Sequence, residues 1–306
     1  MIWLHRYARL LVAATLLLVA AGGMVTSTGS GLSVPDWPTS YGYSMFSFPL
    51  SKMVGGIFYE HGHRLIASSV GFLTIGLVLF LWRVDSRRWM QRLGVVALGA
   101  VVLQGLLGGL TVLFFLPPPV SIGHAGLAQL FFCLAVAVAL FTSPSWIAPS
   151  APPVDDPVLR RRSVALSAAI YVQILIGATM RHIGAGLAIP DFPLAFGHLL
   201  PPMWSTQIAV HFAHRLMALL VTLGIVANAV YIRRGYPGRP ELVRPVTWLV
   251  VAVLVQITLG SLVVISGKQP DINTLHVAMG AIVLGTSLVV LLRAFRVRFL
   301  VPVQLP

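Results

Sequence analysis

The sequence predicts an all-α integral membrane protein in which eight transmembrane helices form two tandem, parallel-related four-helix bundles. Its 306 residues are 57% hydrophobic and only 9% charged, with a mean hydropathy of +0.89, whereas soluble domains carry about 25% charged residues. Eight apolar runs are long enough to cross a hydrocarbon core of about 30 Å, and the chain repeats itself once. No separate soluble domain is expected.

Each apolar run is predicted to form one helix, and the runs fall into two groups of four. The predicted spans are residues 8–28, 60–82, 93–115 and 121–142 in the first group, and residues 163–181, 207–231, 245–266 and 273–293 in the second.

The basic residues orient these helices. Of the 21 Lys and Arg, the five on one side of an eight-helix chain are Lys52, Arg64, Arg181, Arg215 and Lys268, and the other 16 lie on the opposite side. This positive-inside pattern predicts cytoplasmic termini, with loops 29–59, 116–120, 182–206 and 267–272 outside. The net charge of +13 is then explained by membrane topology, and no nucleic-acid partner is expected.

The repeat is clearest in the loops. Residues 31–38 read GLSVPDWP and residues 186–193 read GLAIPDFP, while the third, fifth and seventh helices share a Gln-x-x-x-Gly motif. Because each repeat holds four helices, both halves have the same orientation and are related by an axis along the membrane normal. We therefore predict an N-terminal bundle over residues 1–142, a cytoplasmic linker over 143–162 and a C-terminal bundle over 163–306.

Four histidines recur at matching places in the two halves. His63 and His214 lie near the start of the second helix of each half, and His124 and His276 near the start of the fourth. Ionisable groups inside a bilayer are costly without a partner and are candidates for functional sites. A single histidine would be better explained by a hydrogen bond within the protein, but four matched positions favour another role.

Helices that run in the same direction can place two imidazoles at equal depth, facing each other across a flat macrocycle. The sequence therefore predicts two bis-histidine haem sites, His63 with His124 and His214 with His276, toward the outer face of the membrane.

Three further residues accompany these histidines. Arg64 and Arg215 each follow a candidate ligand directly, where a guanidinium can bind a haem propionate or extend toward the outer headgroups. Glu60 precedes His63 by one turn, and His211 takes that place in the second half. An acid beside just one of the two haems would be expected if one site were reactive and the other served electron transfer or structure. Alternatively, Glu60 is an exposed carboxylate at the start of the helix, where a negative charge interacts favourably with the helix dipole.

The remaining polar residues are assigned structural positions. His5, His61, His182 and His198 are predicted in loops or at the interface, and Asp36 and Asp191 are predicted to cap loop turns. The single Cys133 excludes an intramolecular disulfide and a Cys-x-x-Cys-His attachment site, so any haem would be held without thioether bonds.

Together these motifs resemble the haem A synthase family. The resemblance rests on the run GGMVTSTGSGLS at residues 22–33, the Asp-Trp-Pro turn, the Glu-x-x-His-Arg motif of the second helix and the three later histidines, and it covers essentially the whole chain. It implies an oxidoreductase of the bacterial cytoplasmic membrane that oxidises the C8 methyl group of haem O to a formyl group by successive hydroxylations.

The family's division of labour can be carried over residue by residue. In that family the N-terminal half is associated with the substrate haem and the C-terminal half with a haem b cofactor. Glu60, His63 and His124 would then form the reactive site, while His214 and His276 would bind haem b. The resemblance implies haem O, membrane lipid and an unidentified electron acceptor as partners. It leaves open whether a haem O synthase delivers the substrate and whether the protein forms a homo-oligomer.

The competing class is a non-enzymatic dihaem membrane cytochrome that carries electrons or haem. Bis-histidine sites fit both classes, but the unmatched Glu60 and the loop motifs favour the enzyme. One feature departs from the family pattern: many bacterial members carry a cysteine pair in the first outer loop, and the matching positions here are Val34 and Ser40. No thiol-based step is expected.

Overall fold

Eight long helices dominate the computed structural model, which describes residues 1–299. All eight are long and apolar enough to cross a membrane, as predicted. They are α1 Ile2–Ser27, α2 Gly56–Val84, α3 Arg88–Leu113, α4 Pro118–Phe141, α5 Pro157–His182, α6 Thr206–Gly235, α7 Pro240–Ile265 and α8 Pro270–Ala294. Short helical turns and two isolated β-bridges complete the described part of the chain.

The observed and predicted helix starts disagree most for helices whose first turns contain polar residues. The fifth helix was predicted from residue 163, but α5 begins at Pro157 because Asp156 accepts hydrogen bonds from the backbone N–H groups of Val158 and Leu159. An N-cap Asp followed by Pro is a strong helix start, and an apolar run does not reveal it. The predicted linker therefore contains the first turns of α5, preceded by a short helix over Pro144–Ile147.

Helix contacts close each half into a ring. In residues 1–142, called here the first half, α1 packs against α2, α2 against α3, α3 against α4 and α4 against α1. The same cycle joins α5, α6, α7 and α8 in residues 163–299, the described part of the second half. This is the contact pattern of two four-helix bundles.

The two halves pack closely against each other through α1, α4, α5 and α8. A Cβ atom added to Gly126 of α4 would lie 2.9 Å from Leu175 of α5, and one added to Gly285 of α8 would lie 2.9 Å from Phe132 of α4. Asn273 also donates a hydrogen bond to Ser27 across this interface. Small residues let helices approach closely in lipid, so the halves form one compact unit.

The first residue, the last described residues and two short connections between helices share one end of the molecule. Met1, Asp85, Trp146 and Arg296 line a common cleft, which brings the start of α1, the α2–α3 connection and the linker together. The start of α2, and with it the long loop that precedes it, therefore lies at the opposite end. The 16 basic residues that predicted the cytoplasmic side include Arg87 and Arg296 from this cleft.

Candidate functional site

Each of the four candidate ligands lies against a glycine of the preceding long helix. A Cβ atom added to that glycine would come within 2.9–3.2 Å of the imidazole Cε1, closer than ordinary van der Waals contact. The pairs are Gly22 with His63, Gly108 with His124, Gly177 with His214, and Gly260 with His276. Only glycine lets the imidazole approach the neighbouring backbone this closely. The two halves therefore repeat both the histidines and the glycines that they contact.

Three of the four imidazoles also contact a glutamine that lies one turn before the glycine. The Nε2 atoms of Gln104 and Gln173 donate to the backbone carbonyls of His124 and His214, at 3.0 and 2.9 Å. The distances from glutamine Nε2 to the nearest ring nitrogen are 3.3 Å for Gln104 and His124, 3.2 Å for Gln173 and His214, and 3.4 Å for Gln256 and His276. The Gln-x-x-x-Gly motif was visible in the sequence, but its role beside the histidines was missed.

The histidines of each predicted pair share one region of their half. In each half the two histidines lie on helices that face each other across the bundle, since α2 and α4 both pack against α1 and α3, and α6 and α8 both pack against α5 and α7. No group of three His, Cys, Asp or Glu able to hold a metal ion occurs within residues 1–299. Paired imidazoles fit the two axial positions of a haem iron, whereas zinc sites require three or four protein ligands.

Unpaired polar atoms around these histidines support the same interpretation. Within residues 1–299, buried atoms without a hydrogen-bond partner include Nδ1 of His63, His124 and His276 and Oε1 of Gln104, Gln173 and Gln256. Such atoms are nearly always paired in native proteins. Buried imidazole nitrogens that no protein group satisfies are free to take an external partner such as a metal ion. The residues present therefore fit a haem iron.

The first long loop, residues 28–55, is anchored to α2 through Glu60 and Arg64. Glu60 accepts a hydrogen bond from the Val34 N–H at 2.8 Å and pairs with Arg64 at 2.8 Å. Arg64 in turn donates to the carbonyl oxygens of Val34, Asp36 and Thr39. Because α2 carries these anchors one turn before and directly after His63, the loop is fixed at the level of that histidine.

The second long loop, residues 183–205, is anchored in the same way but without the acid. His211 accepts a hydrogen bond from the Ile189 N–H at 3.2 Å and contacts the Arg215 Nε at 3.1 Å. Arg215 donates to the carbonyl oxygens of Ile189 and Leu194. The backbone arrangement is thus repeated, and the carboxylate is the element that only the first half has.

Two sequence-based interpretations need correction here. Glu60 is not an exposed carboxylate at a helix start, because α2 begins at Gly56 and Glu60 is only 3% exposed. His61 is not an interfacial residue either: it is buried, and its Nδ1 atom is hydrogen-bonded to the Ser40 hydroxyl. The loop folds back over α2, so a residue that faces away from the bundle interior is covered by the loop.

The arginines differ from the expectation in a related way. Neither Arg64 nor Arg215 extends freely toward the headgroups, since both donate to carbonyl oxygens of the long loops. Their predicted contact with haem propionates stays a prediction. Of the other histidines assigned to loops or the interface, His5 lies within α1 with Nδ1 3.0 Å from the Ala139 carbonyl oxygen, His182 is the last residue of α5, and His198 lies exposed in the second long loop.

The predicted turns at Asp36 and Asp191 are confirmed. Asp36 accepts hydrogen bonds from the N–H groups of Tyr41 and Gly42, and Asp191 accepts from those of Phe196 and Gly197. Although burial raises the pKa of Asp36, the bonds from Gly42, Thr39 and Tyr41 lower it to about 2. The bond from the Gly197 N–H lowers the pKa of Asp191 in the same way. The folded-state pKa values are depressed, so this stabilisation is fully present above the usual Asp pKa and is lost as pH falls toward the folded value.

Two further contacts hold the first long loop. Trp37 packs on Gly109 of α3, where an added Cβ would lie 2.5 Å from the indole Cδ2 atom, and Gly109 directly follows the glycine that contacts His124. Val34 and Ser40 are both fully buried and connect the loop to Glu60, Arg64 and His61. Hydrogen bonds and packing therefore hold this loop.

Comparison with known proteins identifies relatives along most of the chain. The model of a family described as cytochrome oxidase assembly protein matches residues 5–288. The chain is 32% identical to a heme A synthase of Symbiobacterium thermophilum, with 82% of each chain covered. It is 27% identical to a heme A synthase of Halalkalibacterium halodurans, covering 88% of this chain and 90% of that one, and 28% identical to a heme A synthase of Chelativorans sp., covering 93% and 89%.

Eight helices long and apolar enough to cross a membrane define a class, the multi-pass membrane proteins. Within that class, the match over residues 5–288 and the 32% identity to a curated relative show that the chain belongs to the haem A synthase family.

Proposed function

We propose that this protein is an oxidoreductase that converts haem O to haem A, oxidising the C8 methyl group to a formyl group by successive hydroxylations. Family membership supports the reaction. Glu60 is the observation that supports different roles for the two halves. Both halves have the histidines, the glycines that contact them and the arginine that holds the loop, but only the first half has a carboxylate beside that arginine.

Each half has its own haem in this proposal. His63 and His124 hold the substrate haem O, and His214 and His276 hold haem b. A haem b bound in the second half supplies a redox-active iron. The glycine seats fix the position of each imidazole against the neighbouring helix, and orientation of this kind is what a ligand needs to hold an iron at a defined place.

Glu60 is the residue assigned to the chemistry in the first half. Oxidation of a methyl group to a formyl group with oxygen from water would pass electrons to an acceptor outside this chain and release protons. A buried carboxylate can accept a proton or stabilise positive charge. The hydrogen bonds from Val34 and Arg64 keep the carboxylate in one position. The same bonds hold the first long loop over α2, which excludes water from the reacting edge of the macrocycle.

Arg64 and Arg215 hold the loops and bring positive charge to the two sites. Each guanidinium lies directly after a histidine ligand in the chain, where its charge attracts the carboxylates of haem propionates.

The conversion is tested by expression with and without a haem O synthase in a host that lacks its own haem A synthase. We expect haem A among the extracted pigments only when haem O is supplied, and haem b in both cases. Chromatography and mass spectrometry of the extracted haems measure this. Protein that binds haem b yet never yields haem A would support the cytochrome alternative.

The protein is placed in the bacterial cytoplasmic membrane, with both termini in the cytoplasm and the histidine pairs toward the outer face. Single cysteines at Ser44 and Ser86, which are both exposed, test this topology in a Cys133→Ser background. A membrane-impermeant thiol reagent should label Ser44→Cys in spheroplasts and Ser86→Cys only after lysis. Labelling in the reverse order would overturn the orientation and the outer position of both sites.

A further inference from the structure

A cleft with a basic lining lies at the end of the second half away from the histidine pairs. It has a volume of about 500 Å³ and is lined by Arg162 of α5 and by Tyr231, Arg234 and Tyr236 around the end of α6. Pockets that bind small ligands have volumes of about 300–1,000 Å³. The proposed topology places this end of α5 and α6 at the cytoplasmic surface, and no part of the proposed reaction uses it.

Two guanidinium groups border the cleft. Arg162 donates a hydrogen bond to the Ala227 carbonyl oxygen at 2.9 Å, and its guanidinium carbon lies 4.8 Å from the centroid of the Tyr231 ring. A guanidinium has several N–H donors, so these contacts leave donors for a further acceptor. Arg234 lies in the last turn of α6 and is exposed.

The acids at this end of the second half are engaged by other groups. Asp156 accepts hydrogen bonds from the hydroxyl groups of Tyr231 and Tyr236 and from two backbone N–H groups at the start of α5. The other two acids form ion pairs with different arginines, Asp155 with Arg160 and Glu241 with Arg239. Within residues 1–299, neither arginine of the cleft is paired with an acid.

The matching place in the first half is occupied by an uncharged side chain. When the repeats are aligned on the histidines and their glycines, Tyr7 and Phe80 take the places of Arg162 and Tyr231. Tyr7 packs on Gly76, donates to a backbone carbonyl of α2 at 2.9 Å and contacts the Phe80 ring edge-on, with 5.9 Å between the ring centroids. The two halves therefore repeat this side-chain pair, but only the second half has a guanidinium in it.

The depth of the cleft indicates which anion it fits. Helix α5 has 26 residues and is about 39 Å long, whereas the hydrocarbon core is about 30 Å thick, so the helix ends reach the headgroup region. Arg162 is in the second turn of α5, and Arg234 is the last residue but one of α6. Guanidinium groups bind phosphate oxygens in a bidentate way, and basic pockets between transmembrane helices on the cytoplasmic side bind anionic headgroups.

We propose that this cleft binds the phosphate of an anionic phospholipid of the cytoplasmic leaflet, with Arg162 and Arg234 as the binding residues. The inference goes beyond the proposed reaction and does not depend on it. Because one arginine belongs to α5 and the other to α6, a lipid bound there joins the ends of these two helices beside the linker.

Lipid binding to the detergent-solubilised full chain tests this inference. Native mass spectrometry with added phosphatidylglycerol measures the affinity of the first lipid bound, and the zwitterionic phosphatidylcholine serves for comparison. Arg162→Gln and Arg234→Gln each remove one charge and keep a polar side chain. Each should weaken phosphatidylglycerol binding by at least about fivefold, while the weaker binding of phosphatidylcholine stays the same in all variants.

Arg83→Gln is the matched control. Arg83 is exposed at the place in α2 that Arg234 takes in α6, so a cation there has the same interaction with the end of its helix. This variant should bind phosphatidylglycerol as the wild-type protein does. Equal losses in Arg83→Gln and Arg234→Gln would mean general attraction to a basic surface, and unchanged affinity in Arg162→Gln would remove the central residue. Either result overturns the inference.

Inorganic phosphate distinguishes a lipid from a free anion. Millimolar phosphate should leave the bound phosphatidylglycerol in place, and displacement of the lipid would assign the cleft to free phosphate instead. If Arg162→Gln does not fold, as judged by helical circular dichroism, the comparison of Arg234→Gln with Arg83→Gln decides. The haem content of all variants should equal that of the wild-type protein, so failure of this inference leaves the proposed function intact.

Discussion

Replacement of His214 or His276 by alanine is expected to abolish the low-spin optical and paramagnetic signals of the haem in the second half. In the proposed site each imidazole would supply one ligand to the haem iron, so the loss of either would leave an iron that can no longer be low-spin through two histidines. The haem content of the second half should also fall by at least about 10-fold, since even the loss of an outer partner of a ligand costs about that much in affinity. Low-temperature paramagnetic resonance and pigment analysis of the purified variants measure both effects.

His198→Ala is the matched control, because His198 lies exposed in the second long loop and has no part in the proposed site. Its spectra should equal those of the wild-type protein. Wild-type spectra in both single ligand variants would rule out the His214 and His276 pairing, and with it the assignment of haem b to the second half.

The sequence predicted the eight helices because hydrophobic length is a local property that survives any arrangement of the chain. It also singled out the four histidines, because each occupies the same position in its repeat as a histidine of the other repeat. The start of α5 was missed for a local reason: Asp156 and Pro157 define it before the apolar run begins.

The environment of the site depends on contacts between distant parts of the chain, and the sequence could not predict these. The contact of Gln104 with His124 joins α3 to α4, and the bonds of Arg64 join α2 to a loop about 30 residues earlier. His61 was misassigned for the same reason, since its partner Ser40 lies in that loop. The spacing of Glu60 and Arg64 would have indicated an ion pair on one helix face, but only the folded loop shows that the pair also binds the Val34 backbone.

The second half is a natural control for the role of Glu60. Its loop has the same turn and the same arginine anchor, and His211 replaces the acid while still accepting a hydrogen bond from the loop backbone. Loop anchoring therefore does not require a carboxylate. A histidine at position 60, copied from His211 of the second half, should therefore keep the loop in place while it removes the carboxylate.

Glu60→Gln and Glu60→His are accordingly both expected to keep haem in both halves. Glu60→Gln should lower haem A formation by about 100-fold or more, the usual contribution of a group that transfers protons, whereas an imidazole can itself transfer protons, so Glu60→His tests the need for the negative charge. Both variants leave the buried guanidinium of Arg64 without its counter-charge, and loss of one partner of a buried pair can cost about 3–5 kcal/mol, but the second half shows an arginine held beside a histidine at this place. Haem A formation is measured after co-expression with a haem O synthase and normalised to bound haem, with His211→Glu as the reciprocal control that should not restore the product. Haem A at the wild-type rate in both Glu60→Gln and Glu60→His would mean that Glu60 serves only to hold the loop, and the proton-transfer role would have to be given up.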